Sequence, residues 1–219
     1  MPTRVLIADD EALMRKALKV FVDAAPDMEV VGEAADGIAA VHLASELQPD
    51  VVLMDIQMPR MDGVEATKGV IAASPRTRVV AVTTFSSQRY VVPALRAGAS
   101  AYLVKDTEPA ALVAAIRDAL DGTCTLSPQV TAELVSSLRE SPEPPVPVDL
   151  PEHERLSERE LDVVRLLGQG LSNAEIAKEL HLSEATVKTH LSNVMTKWGV
   201  RDRVQVLVRA ARSGIVRFD

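Results

Sequence analysis

The chain has 219 residues, 47% apolar and 25% charged, with a net charge of −7 and one cysteine, Cys124. That length suggests about two domains of roughly 100–150 residues each. A single cysteine excludes an intrachain disulfide and a cysteine-based metal cluster, and no apolar stretch is long enough to cross a bilayer. Residues 152–219 hold 11 Lys+Arg against 10 Asp+Glu, whereas residues 1–151 hold 13 against 21. An acidic front and a slightly basic back point to two different jobs.

The N-terminus runs straight into Val5-Leu6-Ile7 without a signal-peptide pattern, which predicts a bacterial-type cytoplasmic protein. Four apolar runs then each stop at a polar group. Val5 to Ala8 precedes Asp9 and Asp10, Val51 to Met54 precedes Asp55, Val79 to Val82 precedes Thr83, and Tyr102 to Val104 precedes Lys105. Met28 to Ala34 is a weaker fifth strand. Helical patterns fill the gaps. Leu13, Ala17, Val20 and Phe21 make one apolar face, Asp62-Gly63-Val64-Glu65 opens a helix to about Ala73, and Thr107 and Pro109 open another. Leu112, Ala115, Ile116 and Ala119 line that last helix.

Alternating βαβ units imply a parallel sheet with helices on both faces. All strand ends then point one way, so Asp9, Asp10, Asp55, Thr83 and Lys105 converge on one rim. Three carboxylates so close repel one another unless a cation joins them. Oxygen ligands of this kind suit Mg²⁺. An aspartate is a known phosphoryl acceptor, and a lysine and a threonine can contact phosphoryl oxygens.

Residues 4–121 resemble the receiver domain of two-component response regulators. The motifs are Ile7-Ala8-Asp9-Asp10, the run from Met54 through Asp55, Pro59 and Asp62 to Gly63, Val82-Thr83-Thr84, and Ala97 to Lys105. The resemblance implies a five-stranded parallel, flavodoxin-like receiver. It implies Asp55 as the phosphoacceptor, and Asp10, Asp55 and the Gln57 carbonyl as Mg²⁺ ligands, with Asp9 assisting through water. It implies Thr83 and Tyr102 as a switch pair and Lys105 as the partner of the phosphoryl oxygen. New charge on Asp55 would draw in the Thr83 hydroxyl, let Tyr102 turn inward, and change the surface of a helix from about Ser87 to Ala97. Ala101 and Asp106 stand where glycine and proline are frequent in receivers. Thr84 and Phe85 occupy positions that tune hydrolysis.

Residues 127–139 can form a connector helix through Val130, Leu134, Val135 and Leu138. Five prolines in the twelve residues from Glu140 to Pro151 then predict an extended linker. Beyond it, Ser157-Glu158-Arg159-Glu160 and Ser172-Asn173-Ala174-Glu175 are capping boxes, Gly168 and Gly170 end the first helix, and Ser183 caps a third. The second and third helices form a helix-turn-helix. Val187, Leu191, Val194 and Trp198 make the core stripe of the third. Its opposite side carries Lys188, Thr189, Ser192, Asn193 and Thr196, polar and free of acids, which suits a DNA major groove. Lys197, Arg201 and Arg203 suit phosphate. His42, His153, His181 and His190 show no metal-ligand spacing and are read as structural or surface residues.

Residues 154–215 resemble the LuxR-type helix-turn-helix, through Leu156 to Glu160, Gly170 to Ala177 and Leu182 to His190. Trp198 replaces a more usual leucine. The resemblance implies that Lys188, Thr189 and Ser192 face bases. It implies backbone contacts from Thr186, Asn193, Lys197 and Arg203, and a last helix, with Val204, Leu207, Val208 and Ala211, that closes the core and shares in dimerisation. The whole chain resembles a NarL/FixJ-type response regulator. The expected organisation is a receiver over residues 1–122, a connector over 123–151 and an all-α DNA-binding domain over 152–219. The implied partners are a sensor histidine kinase, double-stranded promoter DNA and a second copy of the chain. Two alternatives stand beside this reading. An aspartyl-phosphate hydrolase needs a second carboxylate close after the nucleophile, where Gln57 stands. A regulator working without phosphate would not need the full acid, threonine and lysine set.

Overall fold

The computed structural model describes residues 1–83, 90–124, 126, 130, 131, 134 and 155–216. The chain divides into two units, Met1–Cys124 and Thr125–Asp219.

In the first unit, β1 (Thr3–Ala8), β2 (Met28–Ala34), β3 (Val51–Asp55), β4 (Arg78–Thr83) and β5 (Ala101–Val104) form one parallel sheet in the order β2-β1-β3-β4-β5. The chain between them forms α1 (Ala12–Asp23), α2 (Gly37–Leu47), α3 (Gly63–Ala73), α4 (Val91–Ala97) and α5 (Pro109–Leu120). All of β3 is buried. A strand covered on both faces cannot alternate apolar with polar, and this is why Val51 to Met54 form an unbroken apolar run. Each fully buried side chain of that size contributes about 1.5–3 kcal/mol. Val5, Ile7, Val51, Leu53, Val80 and Val82 pack against Leu18 and Val22 of α1 and Leu112 and Ile116 of α5. Leu6 lies on the opposite face, since a Cβ on Gly32 would fall beside both the Leu6 and the Leu47 side chains.

Helix α1 corrects one expectation. Leu13 and Val20 are 81% and 65% exposed. The face toward the sheet is instead Met14, Leu18, Phe21 and Val22. Both sets satisfy a helical period, because the helix carries apolar residues on two adjacent stripes that share Phe21. The stripe with the larger summed side chains takes the core. Arg15 is thereby turned toward the end of β1, where its Nη1 donates to the Asp9 carbonyl at 2.6 Å.

The second unit contains α6 (Glu158–Gly168), α7 (Asn173–Glu179), α8 (Glu184–Trp198) and α9 (Arg203–Arg212). Both capping boxes form as the sequence predicts, at Ser157 with Glu160 and at Ser172 with Glu175. Ser183 caps α8 by accepting from the Thr186 N–H at 3.1 Å. The turn between α7 and α8 places His181 at φ 54°. Val187, Leu191, Val194 and Trp198 are all buried. The connector helix expected over residues 127–139, apart from Val130, Thr131 and Leu134, lies outside the described residues. So do the proline-rich stretch, Thr84 and Phe85, and the start of the helix expected from Ser87.

Candidate functional site

Sheet register builds the site. Ala8 pairs with Met54, so the next residue of each strand, Asp9 and Asp55, stand side by side. Thr83 pairs with Val104, which brings Lys105 beside the end of β4, and the Lys105 N–H donates to the Thr83 carbonyl at 2.7 Å. Strand order reverses between β1 and β3, at the crevice where open α/β sheets bind their ligands.

Asp9 and Asp55 are 0% and 4% exposed, and Asp10 is exposed. The three offer carboxylate oxygens within 4.8 Å of one another. Lys105 Nζ lies 2.8 Å from Asp9 Oδ2, 3.0 Å from Asp55 Oδ2 and 3.4 Å from Glu11 Oε1. Its side chain is 7% exposed. One ammonium against this many carboxylates leaves negative charge over. The oxygen set with an open, solvent-facing side fits a small divalent cation.

The charges shift one another. Burial pushes the Asp55 carboxyl above the ordinary carboxylate range; the Lys105 hydrogen bond opposes this, and the nearby charge of Asp9 adds to it. For Lys105, burial favours the neutral amine, but the hydrogen bonds to Asp9 and Asp55 outweigh it and hold the ammonium above its usual range. Thr83 is 1% exposed at the end of β4. Tyr102 is half-buried on β5, paired with Ala81. Gln57 is exposed two residues after Asp55, and its N–H donates to Asp55 Oδ1 at 3.3 Å.

Two residues of this rim went unread in the sequence. Glu11 follows the Asp-Asp pair and reaches Lys105. Arg15 holds the Asp9 carbonyl from the first turn of α1. Their signal was position, one and five residues beyond Asp10, on a helix whose face had to be set first.

In the second unit, Lys188, Thr189, Ser192, Asn193 and Thr196 are exposed together on α8, and Thr186 is half-buried at its start. Lys197 is already engaged. Its Nζ lies 2.6 Å from Glu160 Oε2 and 3.3 Å from the Arg155 carbonyl. Arg203, expected to touch the DNA backbone, is 3% exposed and belongs to the core instead. Its Nη2 donates to the Leu171 carbonyl at 2.8 Å and its Nη1 to Asn173 Oδ1 at 3.2 Å, tying the start of α9 to the start of α7. An arginine reads as a surface residue until the helix beside it is known. No helix among the described residues is long and apolar enough to cross a membrane.

The same two units appear in comparisons with known proteins. Residues 5–117 match the response regulator receiver domain, and residues 154–210 match the bacterial regulatory proteins of the luxR family. The transcriptional regulatory protein LiaR of Bacillus subtilis is 42% identical over 97% of this chain and 99% of its own length. The response regulator protein VraR of Staphylococcus epidermidis is 35% identical over 99% of this chain and 100% of its own. Among solved structures, the response regulator ChrA of a heme-sensing two-component system superposes with a TM-score of 0.52 at 34% identity, covering 98% of each chain.

Proposed function

The chain belongs to the transcriptional response regulators that join a receiver domain to a LuxR-family DNA-binding domain, and from that premise we propose that Asp55 is the phosphoryl acceptor that controls its DNA binding. The observation that carries this reading is the Lys105 ammonium between Asp9 and Asp55, next to the Thr83 strand end.

An Asp55 carboxylate oxygen attacks the phosphorus of a phosphohistidine on a sensor kinase. The new P–O bond forms as the P–N bond breaks, and the histidine, protonated on its other ring nitrogen, leaves as the neutral imidazole. Lys105 turns from Asp55 to a phosphoryl oxygen and keeps its charge neutralised. Asp10, Asp55 and the Gln57 carbonyl would hold Mg²⁺, with Asp9 assisting. That ion, when bound, supplies charge neutralisation to the phosphoryl oxygens. The Thr83 hydroxyl donates to the new anion, and Tyr102 follows it inward, which alters the α4 and β5 surface. Hydrolysis of the acyl phosphate resets the switch within the same rim.

The receiver covers residues 1–122, the connector 123–151 and the DNA-binding domain 152–219. The phosphorylated protein dimerises in the cytoplasm, and two α8 helices read paired half-sites in promoter DNA through Lys188, Thr189 and Ser192. Thr186 and Asn193 contact the backbone. Pairing two weak modules raises their joint affinity without new contacts.

The test is labelling with acetyl phosphate and Mg²⁺. Wild type is expected to take up one phosphoryl group, and Asp55→Asn none. Labelling that survives Asp55→Asn rules out the acceptor.

A further inference from the structure

The segment after Asp55 is braced from outside the rim by two residues that the phosphoryl chemistry does not use. Residues 56–62 join β3 to α3 and carry Gln57 beside the carboxylates. At the end nearest the sheet, the Gly63 N–H donates to the Ile56 carbonyl at 2.9 Å. A Cβ on Gly63 would fall 2.0 Å from the Asp55 carbonyl oxygen, so only glycine closes the segment this tightly. At its outer edge the segment meets α2. A Cβ on Gly37 would lie 2.5 Å from the Met61 carbonyl oxygen, which seats the first turn of α2 directly on Met61.

Arg60, next to Met61, has φ 69°. That is the left-handed region, which side chains larger than glycine seldom occupy. Its guanidinium pairs with the Asp36 carboxylate, whose side chain is 3% exposed against 65% for Arg60. The other carboxylate oxygen, Asp36 Oδ1, accepts from the Ala39 N–H at 2.9 Å and caps α2. A buried carboxylate needs both kinds of partner, a cation and fixed N–H donors.

We infer that the Asp36–Arg60 pair is a latch that fixes residues 56–62 in the conformation presenting the Gln57 carbonyl to Mg²⁺, so that both are positioning residues for the metal site. This rests on the reading of the rim as a phosphoryl and Mg²⁺ site. Arginine does not itself favour a left-handed backbone; the Met61 N–H closes a turn around it on the Pro59 carbonyl at 2.8 Å, and a contact from outside the segment adds to its selection. The buried Asp36 carboxylate is that contact. Without it the backbone relaxes at Arg60, three residues from Gln57. Asp9, Asp10 and Asp55 are anchored at strand ends and stay. The site then loses the quality of one ligand and keeps its acceptor.

Direct Mg²⁺ titration of the full chain by calorimetry, without a phosphodonor, tests the latch. Asp36→Asn keeps an acceptor for the Ala39 N–H and removes only the charge. Arg60→Ala removes the guanidinium at an exposed position, away from the core. Either change should raise the Mg²⁺ Kd about ten-fold, the lower end of what residues orienting metal ligands typically carry. The double variant should be no weaker than the singles, because one interaction is lost in all three. Arg60→Lys should recover part of the affinity. Acetyl-phosphate labelling at saturating Mg²⁺ should return to the wild-type rate in every variant. Unchanged Mg²⁺ affinity in both singles, or a labelling defect that saturating Mg²⁺ does not restore, overturns the latch. Labelling that survives Asp55→Asn, or a wild type that binds no Mg²⁺, overturns the site reading on which it rests.

Discussion

At Asp55, the fold opposes the charge that the chemistry needs. Burial raises its carboxyl above the ordinary range, with Lys105 only partly compensating. The sign follows directly. A carboxyl that holds its proton more tightly in the folded chain than in the unfolded one costs stability as pH rises past its unfolded value of 3.8. Asp55→Asn is therefore expected to raise the Tm of the first unit at neutral pH in chelator, and to flatten its fall in stability above pH 3.8. Mg²⁺ should stabilise wild type by about 2.7 kcal/mol at one hundred times its Kd, and Asp55→Asn by less. Thermal melts with and without the ion read both effects. Glu160 has the opposite sign. Burial pushes it up, but the Lys197 hydrogen bond and the two from Ser157 together hold it below 4.5. Its contribution is present above that pH and lost as pH falls through the lowered value. Lys197→Met should cost the second unit about 2 kcal/mol at pH 7, the scale of a hydrogen bond to a charged group. That loss should disappear in acid, which denaturant melts at both pH values would measure.

At the level of elements, α8 carries the DNA-reading proposal. Its buried stripe and its caps leave Lys188, Thr189, Ser192 and Asn193 in solvent on the other side. Lys188→Ala should weaken binding to a cognate site by about 1–3 kcal/mol, if Lys188 reads a base. Binding titrations at one fixed salt concentration check it, and unchanged affinity removes Lys188 from the interface. Much of this element was legible in the sequence because period and capping are local. The capping boxes at Ser157 and Ser172 and the stripe from Val187 to Trp198 need no tertiary knowledge. The strand ends were legible for the same reason: an apolar run that stops at a carboxylate marks both the strand and its rim. What was not legible depended on a choice between neighbours. Helix α1 offers two apolar stripes, and only packing selects Met14, Leu18 and Val22 over Leu13 and Val20. Arg203 and Lys197 carry charge that reads as DNA contact, yet Leu171, Asn173 and Glu160 claim them across the helix bundle. Asp36 and Arg60 are 24 positions apart in sequence, and nothing local joins them.

Across the whole molecule, an acidic front offers a charge switch and a near-neutral back offers a helix for a polyanion. Residues 1–151 carry 13 Lys+Arg against 21 Asp+Glu, and residues 152–219 carry 11 against 10. An acidic receiver repels DNA, so the proposed specific affinity rests on the second unit and on the proposed pairing of two copies of it. The measurement that tests the central claim most directly is promoter-DNA binding by full-length protein, with and without acetyl phosphate and Mg²⁺, for wild type and Asp55→Asn. The account predicts that phosphodonor tightens wild-type binding about ten-fold or more, a coupling of at least about 1.4 kcal/mol, and leaves Asp55→Asn at the unstimulated level. Equal stimulation of both proteins, or none of wild type once it is labelled, would contradict it.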